Sequence, residues 1–269
     1  MPIDTSSYYP EVPDSSEGSG FESLNKSHTS LFGDKKEPAP PEKSPEPESD
    51  KIAPTPNESA KETGIERLLT VGSNIISWAL VPLMMPVYGI IFVFCLSVLD
   101  VVPPGLRVAF TFIVFGINFC IPILLVLLLK FLGVIQDVGL NGRNERLVPY
   151  MITALCMGGT AWFLATRGAP LWLDMFYVGG GVAALVNLVI NFKWKISAHA
   201  AGIAGIVALL IRLEKDVAVE PRLFVWLLIV IGAAGLMGSA RIWLGRHTAW
   251  QVLAGYAVGF CSVFFLMSV

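Results

Sequence analysis

Three short stretches of the chain carry residue types that can handle a phosphate group. One holds Arg143 and Arg146, the second Ser197 and His199, the third Arg241 and His247. Arginine presents a planar fork of donors that matches phosphate oxygens. One histidine of such a set can attack phosphorus and the other can protonate the leaving oxygen. A serine hydroxyl and the N–H groups at a helix start can hold a further phosphate oxygen. The chain has three histidines, and two of them fall in these stretches, His28 being the third. No Asp/Glu cluster marks a divalent metal site, so the expected chemistry is free of metal and cofactor, with transition-state charge balanced by positive side chains.

The elements that must position these residues follow from hydropathy. Of 269 residues 54% are hydrophobic and only 15% charged, and mean hydropathy is +0.64. A soluble domain has roughly 25% charged residues, so the composition excludes an ordinary soluble fold. Residues 1–63 are set apart: the run PAPPEKSPEPESDKIAPTPNESAKE cannot bury enough surface to offset its ordering entropy and is expected to form a disordered polar tail. Residues 64–78 have apolar positions at helical spacing and read as an interfacial amphipathic helix. Residues 79–269 then read as an all-α, polytopic transmembrane helix bundle of about seven spans, near 79–99, 108–135, 147–165, 171–192, 197–213, 223–238 and 248–267. Pro82 and Pro86 are expected to kink the first span, and Lys130 to snorkel at the end of the second.

Two spans separate the first arginine stretch from Ser197, and two more separate His199 from Arg241. An even number of crossings returns the chain to the same membrane surface, so all three stretches can share one site. Lys193 and Lys195 fit a plain anchoring role at a span end. Charges lie at span ends apart from Asp174 near a span start, which argues against a transport pathway at the midplane. Each of the four cysteines, Cys95, Cys120, Cys156 and Cys261, sits in an apolar run and reads as a small buried hydrophobe. Nothing in the pattern suggests nucleic acid as a partner. With no leader-like segment at Met1–Pro10, the tail is expected on the cytoplasmic side, and a bacterial inner (plasma) membrane is the expected setting.

The motif residues resemble those of the type-2 phosphatidic acid phosphatases, whose motifs are K-x6-R-P, P-S-G-H and S-R-x5-H-x3-D. The third is matched best, in SARIWLGRHTAWQVLAG (239–255), with five residues between Arg241 and His247. The second appears as ISAH (196–199), and the first, most loosely, as RNERLVP (143–149). The resemblance covers about half the chain and implies a six-helix phosphatase-like core. It makes His247 the nucleophile, His199 the general acid, and Arg143, Arg146, Ser197 and Arg241 phosphate ligands. It also places Gln251 in the catalytic set, at the position of the family's aspartate, where a carbonyl can orient His247 but supplies no charge. Ala240, Ala198 and Ile196 stand where the family has Ser, Gly and Pro. The implied substrate is a lipid phosphate: polyprenyl pyrophosphate, phosphatidylglycerophosphate or phosphatidic acid. The alternative is a catalytically impaired relative that binds phospholipid headgroups or scaffolds other membrane proteins.

Overall fold

The computed structural model describes residues 64–133, 147–216 and 221–268, which form helices and turns with no strand among them. The N-terminal tail, Arg143 and Arg146 lie outside the described residues. Nine α-helices lie among the described residues: α1 (Gly64–Ala79), α2 (Met85–Leu96), α3 (Pro104–Phe115), α4 (Ile121–Phe131), α5 (Leu147–Thr166), α6 (Leu171–Asn191), α7 (Ala198–Asp216), α8 (Pro221–Trp243) and α9 (Ala249–Leu266).

Proline places several of the boundaries. The sequence predicts one kinked span over 79–99. Instead α1 stops at Ala79, a 3-10 turn covers Pro82–Met84, and α2 starts with Pro86 in its first turn. A proline there gives up only an N–H that has no partner within the helix, and its fixed φ suits the helix start. The second expected span is α3 and α4 joined by a π turn, Gly116–Cys120. Pro122 lies one residue into α4, lacks the N–H for a regular bond and crowds the preceding turn, and the wider π turn accommodates it. Asn118 in that turn is buried and donates to the Thr160 hydroxyl at 2.7 Å and the Val114 carbonyl at 3.1 Å, so the irregular backbone is tied into α5.

Among the described residues six segments are long and apolar enough to cross a membrane: Gly64–Leu96, Pro104–Phe131, Leu147–Thr166, Leu171–Asn191, Arg222–Trp243 and Ala249–Leu266. Their outward faces are greasy, with Phe112, Leu155, Trp162 and Phe265 all more than 60% exposed. Exposed apolar surface on this scale belongs in lipid, and the protein is an integral membrane protein. The count differs from the seven expected because α7, the expected fifth span, carries Arg212, Glu214, Lys215 and Asp216 in its last five residues. It is the interior helix of the bundle. Ala200, Ile203, Ile206, Leu209, Leu210 and Leu213 are almost fully buried along it, and it packs on α9, α8, α2 and α6. A helix apolar on all sides is a core helix. At its C-terminal end the Arg212 Nε donates to the Met267 carbonyl at 2.9 Å, holding the end of α9.

The tightest contact joins α7 and α9. A Cβ added at Gly255 would stand 2.5 Å from the Ser197 carbonyl oxygen, and one at Gly259 would run into the Ala201 carbonyl. Small residues let helix backbones approach where apolar burial gives no preference for protein over lipid. Gly259→Ala is therefore expected to destabilise the bundle by about 1–3 kcal/mol through overpacking. The check is the thermal midpoint of the detergent-solubilised protein, with Gly232→Ala, which meets no neighbour within 4 Å, as a control that leaves it unchanged.

Candidate active site

The end of the bundle at which α7 and α9 begin and α8 finishes gathers five of the seven residues singled out from the sequence: Ser197, His199, Arg241, His247 and Gln251. Two local motifs bring this about. At the end of α8, Gly245 adopts φ +61°. Its N–H bonds the Ile242 carbonyl at 2.9 Å and the Arg246 N–H bonds the Arg241 carbonyl at 3.1 Å, the paired bonds of a Schellman cap. The His247 N–H also reaches the Arg241 carbonyl, at 3.3 Å. Five residues between Arg241 and His247 are thus one helix end folded back on itself, which sets the nucleophile candidate beside the arginine.

Thr248 then starts α9 as the other half of the device. Its hydroxyl accepts from the Gln251 N–H at 3.4 Å, and the Gln251 Oε1 accepts from the Thr248 N–H at 3.2 Å, a reciprocal capping box. The same Oε1 lies 3.2 Å from His247 Nδ1. Because the Thr248 N–H is a donor, the carbonyl side of the amide must face it, and a carbonyl oxygen can only accept. The His247 contact therefore requires a proton on Nδ1, which leaves the lone pair of the neutral ring on Nε2. Gln251 thus orients the imidazole without contributing charge.

Ser197 precedes α7. Its N–H donates to the Gln251 carbonyl at 3.2 Å, so the second and third motifs are joined directly through the backbone. Its side chain is fully buried, and its hydroxyl accepts from the Ala200 N–H at 3.4 Å, which leaves its own proton to give. Two residues on, His199 is half-buried in the first turn of α7. Burial, then the charges of Arg241 and His247, lower its pKa to about 3, while the backbone at Ser77 acts in the opposite sense. The sign is that of a disfavoured cation: between that value and the ordinary 6.5 the folded protein binds fewer protons than the unfolded chain, so this group costs stability as pH falls below 6.5. The unliganded ring is neutral at physiological pH. A phosphate dianion beside it reverses the local charge and favours the imidazolium that proton donation requires.

Arg241 is partly buried in the last turn of α8, and its enclosed Nε has no hydrogen-bond partner among the described residues. Buried donors are rarely left unpaired, and this one suits a phosphate oxygen. Arg246, which the sequence reading passed over, is close enough for its charge to act on Arg241. Thr248 and Gly245 were also passed over, although the T-x-x-Q spacing is a readable capping signal. Next to Ala198 a cavity of about 90 Å³ opens between α5, α6 and α7, lined mainly by apolar groups such as Met157, Phe176, Ala183 and Ile206, with Asn187 and Thr153 also at its wall.

The fold and this cluster define a helical membrane protein with arginine and histidine side chains gathered at one end. Residues 146–269 match the family model of the PAP2 superfamily, and this part of the chain belongs to that superfamily. No curated protein and no solved structure matches the chain. Membership supports phosphatase-type chemistry.

Replacing Gln251 by Leu removes the acceptor of both the Thr248 and His247 donors. A drop in kcat of about 100-fold is expected, since loss of tautomer control at a catalytic histidine is costly. Gln251→Glu, which keeps an oxygen in place, is expected to retain at least wild-type kcat. Steady-state phosphate release from a lipid phosphate checks both.

Proposed function

We propose that the protein is a metal-independent membrane lipid phosphatase acting on a phosphomonoester or pyrophosphate through a phosphohistidine. The observation that carries this is the Gln251 carbonyl. Pinned by the Thr248 N–H, it fixes the proton of His247 on Nδ1 and leaves Nε2 as the nucleophile. In the first half-reaction the Nε2–phosphorus bond forms and the bond from phosphorus to the lipid oxygen breaks, with the departing oxygen taking a proton from His199. In the second, water attacks the phosphorus and gives its proton to His199. Inorganic phosphate leaves, and both histidines return to their starting states. Arg241, with Arg143 and Arg146 from the stretch before α5, offsets the charge on the equatorial oxygens, and Ser197 has a hydroxyl proton to add. The apolar cavity beside Ala198 favours a substrate carrying hydrocarbon next to its phosphate, which fits polyprenyl pyrophosphate, phosphatidylglycerophosphate and phosphatidic acid alike.

A second reading has one observation in its favour. Gln251 occupies the place of a carboxylate, and a neutral amide does not stabilise a developing imidazolium as a carboxylate does. A protein of this kind would bind phospholipid headgroups without turning them over.

The purified protein, assayed for phosphate release from a panel of lipid phosphates with EDTA present, separates the two. Release that survives chelation and falls by about 10⁴-fold or more in His247→Ala is expected for the phosphatase. Headgroup binding with no release, and release restored by Gln251→Asp, would favour the binding protein.

A further inference from the structure

Asn187 lies in the last two turns of α6, at the end of the bundle that holds the site. It is only 3% exposed. Its Oδ1 is enclosed and has no hydrogen-bond partner among the described residues, which is rare for a buried polar atom. Asn187 is also part of the wall of the cavity beside Ala198. That cavity has a direction, because α5 and α7 begin and α6 ends at the site. Thr153, Asn187 and Ala198 therefore form its wall nearest the site, and Met157, Phe176 and Ile206 its deeper wall. Phe176 is eleven residues back along α6, about 16 Å, and Ile206 eight residues on along α7, about 12 Å. The Thr153 hydroxyl already donates to the Pro149 carbonyl at 2.8 Å, so the Asn187 amide is the group with bonding capacity to spare. The volume of about 90 Å³ is several times the roughly 10–15 Å³ that one water needs. It admits a short segment of carbon and oxygen but not a whole lipid chain. An apolar pocket with one placed polar group is the usual form of a small-molecule subsite.

We propose that this cavity receives the two carbons next to the phosphate ester, and that Asn187 selects lipid phosphates with a free hydroxyl on the second of them. Ala198 stands between Ser197 and His199 in the chain, so the cavity borders the place where the phosphate sits in the phosphatase reading. Atoms two or three bonds from phosphorus meet this wall first. A hydroxyl and a primary amide each donate and accept, so they pair whichever way the amide is turned. A substrate without the hydroxyl puts carbon against the amide and leaves it unpaired, which a site built for hydrogen bonding rejects. The apolar wall below takes the first carbons of the hydrocarbon. Of the three lipids named above, phosphatidylglycerophosphate carries such a hydroxyl. Phosphatidic acid has an ester at that carbon and polyprenyl pyrophosphate an alkene. The place of the phosphate rests on the phosphatase reading, whereas the cavity and its unpaired amide do not depend on turnover.

The test gives the full chain, in mixed micelles, lysophosphatidic acid and its deoxy counterpart, which differ only in that hydroxyl. The wild type is expected to favour the hydroxylated lipid by about tenfold or more in kcat/KM. Asn187→Leu, close in shape but without the amide, is expected to bring the ratio within about twofold. Glycerol phosphate shares the hydroxyl but has no chain, and is expected to show a kcat/KM lower by about 100-fold or more. Equal kcat/KM for the two lipids in the wild type would overturn the inference whatever the variant does, leaving Asn187 to an enclosed water. A ratio that survives in a monodisperse Asn187→Leu would overturn it too, and glycerol phosphate turned over as well as the lipid would overturn the lipid assignment. If the wild type releases no phosphate, isothermal titration of His247→Ala with the same two lipids decides. A binding preference for the hydroxylated lipid would then keep the subsite and remove the phosphatase reading, and equal binding would overturn both.

Discussion

The backbone of α9 lies against the backbone of α7 because Gly255 and Gly259 carry nothing to hold it off, and the site depends on that approach. It brings the Gln251 carbonyl within hydrogen-bonding distance of the Ser197 N–H. The first turn of α9, with its capping box, is thereby locked to the start of α7, with His199. In lipid no hydrophobic gain drives two such helices together, so close packing and this main-chain bond must supply the attraction. The other end of the pair is fixed by Arg212 on the Met267 carbonyl. Between the two anchors α7 is buried on nearly all sides, which makes it a rigid frame for a site built on its first turn and on the helices packed around it.

Geometry at the site comes from helix ends. A Schellman cap turns His247 back toward Arg241, and a capping box turns Gln251 back toward His247. Helix termini leave backbone groups unpaired, and here those groups and their caps position the chemistry. The electrostatics follow. Burial, and then Arg241 and His247, disfavour a positive charge on His199, so the ring stays neutral until an anion arrives. In the phosphatase reading, proton donation is then coupled to phosphate binding, because the substrate creates the field that charges the proposed acid.

Much of this was legible in the sequence. Apolar runs gave the all-α bundle, and counting crossings put Ser197, His199, Arg241 and His247 at one end, because parity depends on how many helices intervene and not on how they pack. The orienting role expected of the Gln251 carbonyl came from the resemblance, which sets this residue where the family has an aspartate. What escaped was set by local backbone chemistry and by packing. Pro82 ends a helix where a kink was expected, since the residues around it gain more from a fresh start at Met85 than from a strained continuous span. The interior character of α7 was hidden because hydropathy does not distinguish a helix surrounded by protein from one facing lipid.

The central claim is that phosphorus becomes bonded to His247. Mixing the purified protein with a ³²P-labelled lipid phosphate and quenching in base within the first turnover tests it most directly, since a phosphoramidate survives base and is lost in acid. Base-stable label on the peptide that contains His247, absent in His247→Asn, is the expected result. Steady turnover with no labelled protein at any quench time, or label carried by a different residue, would contradict it.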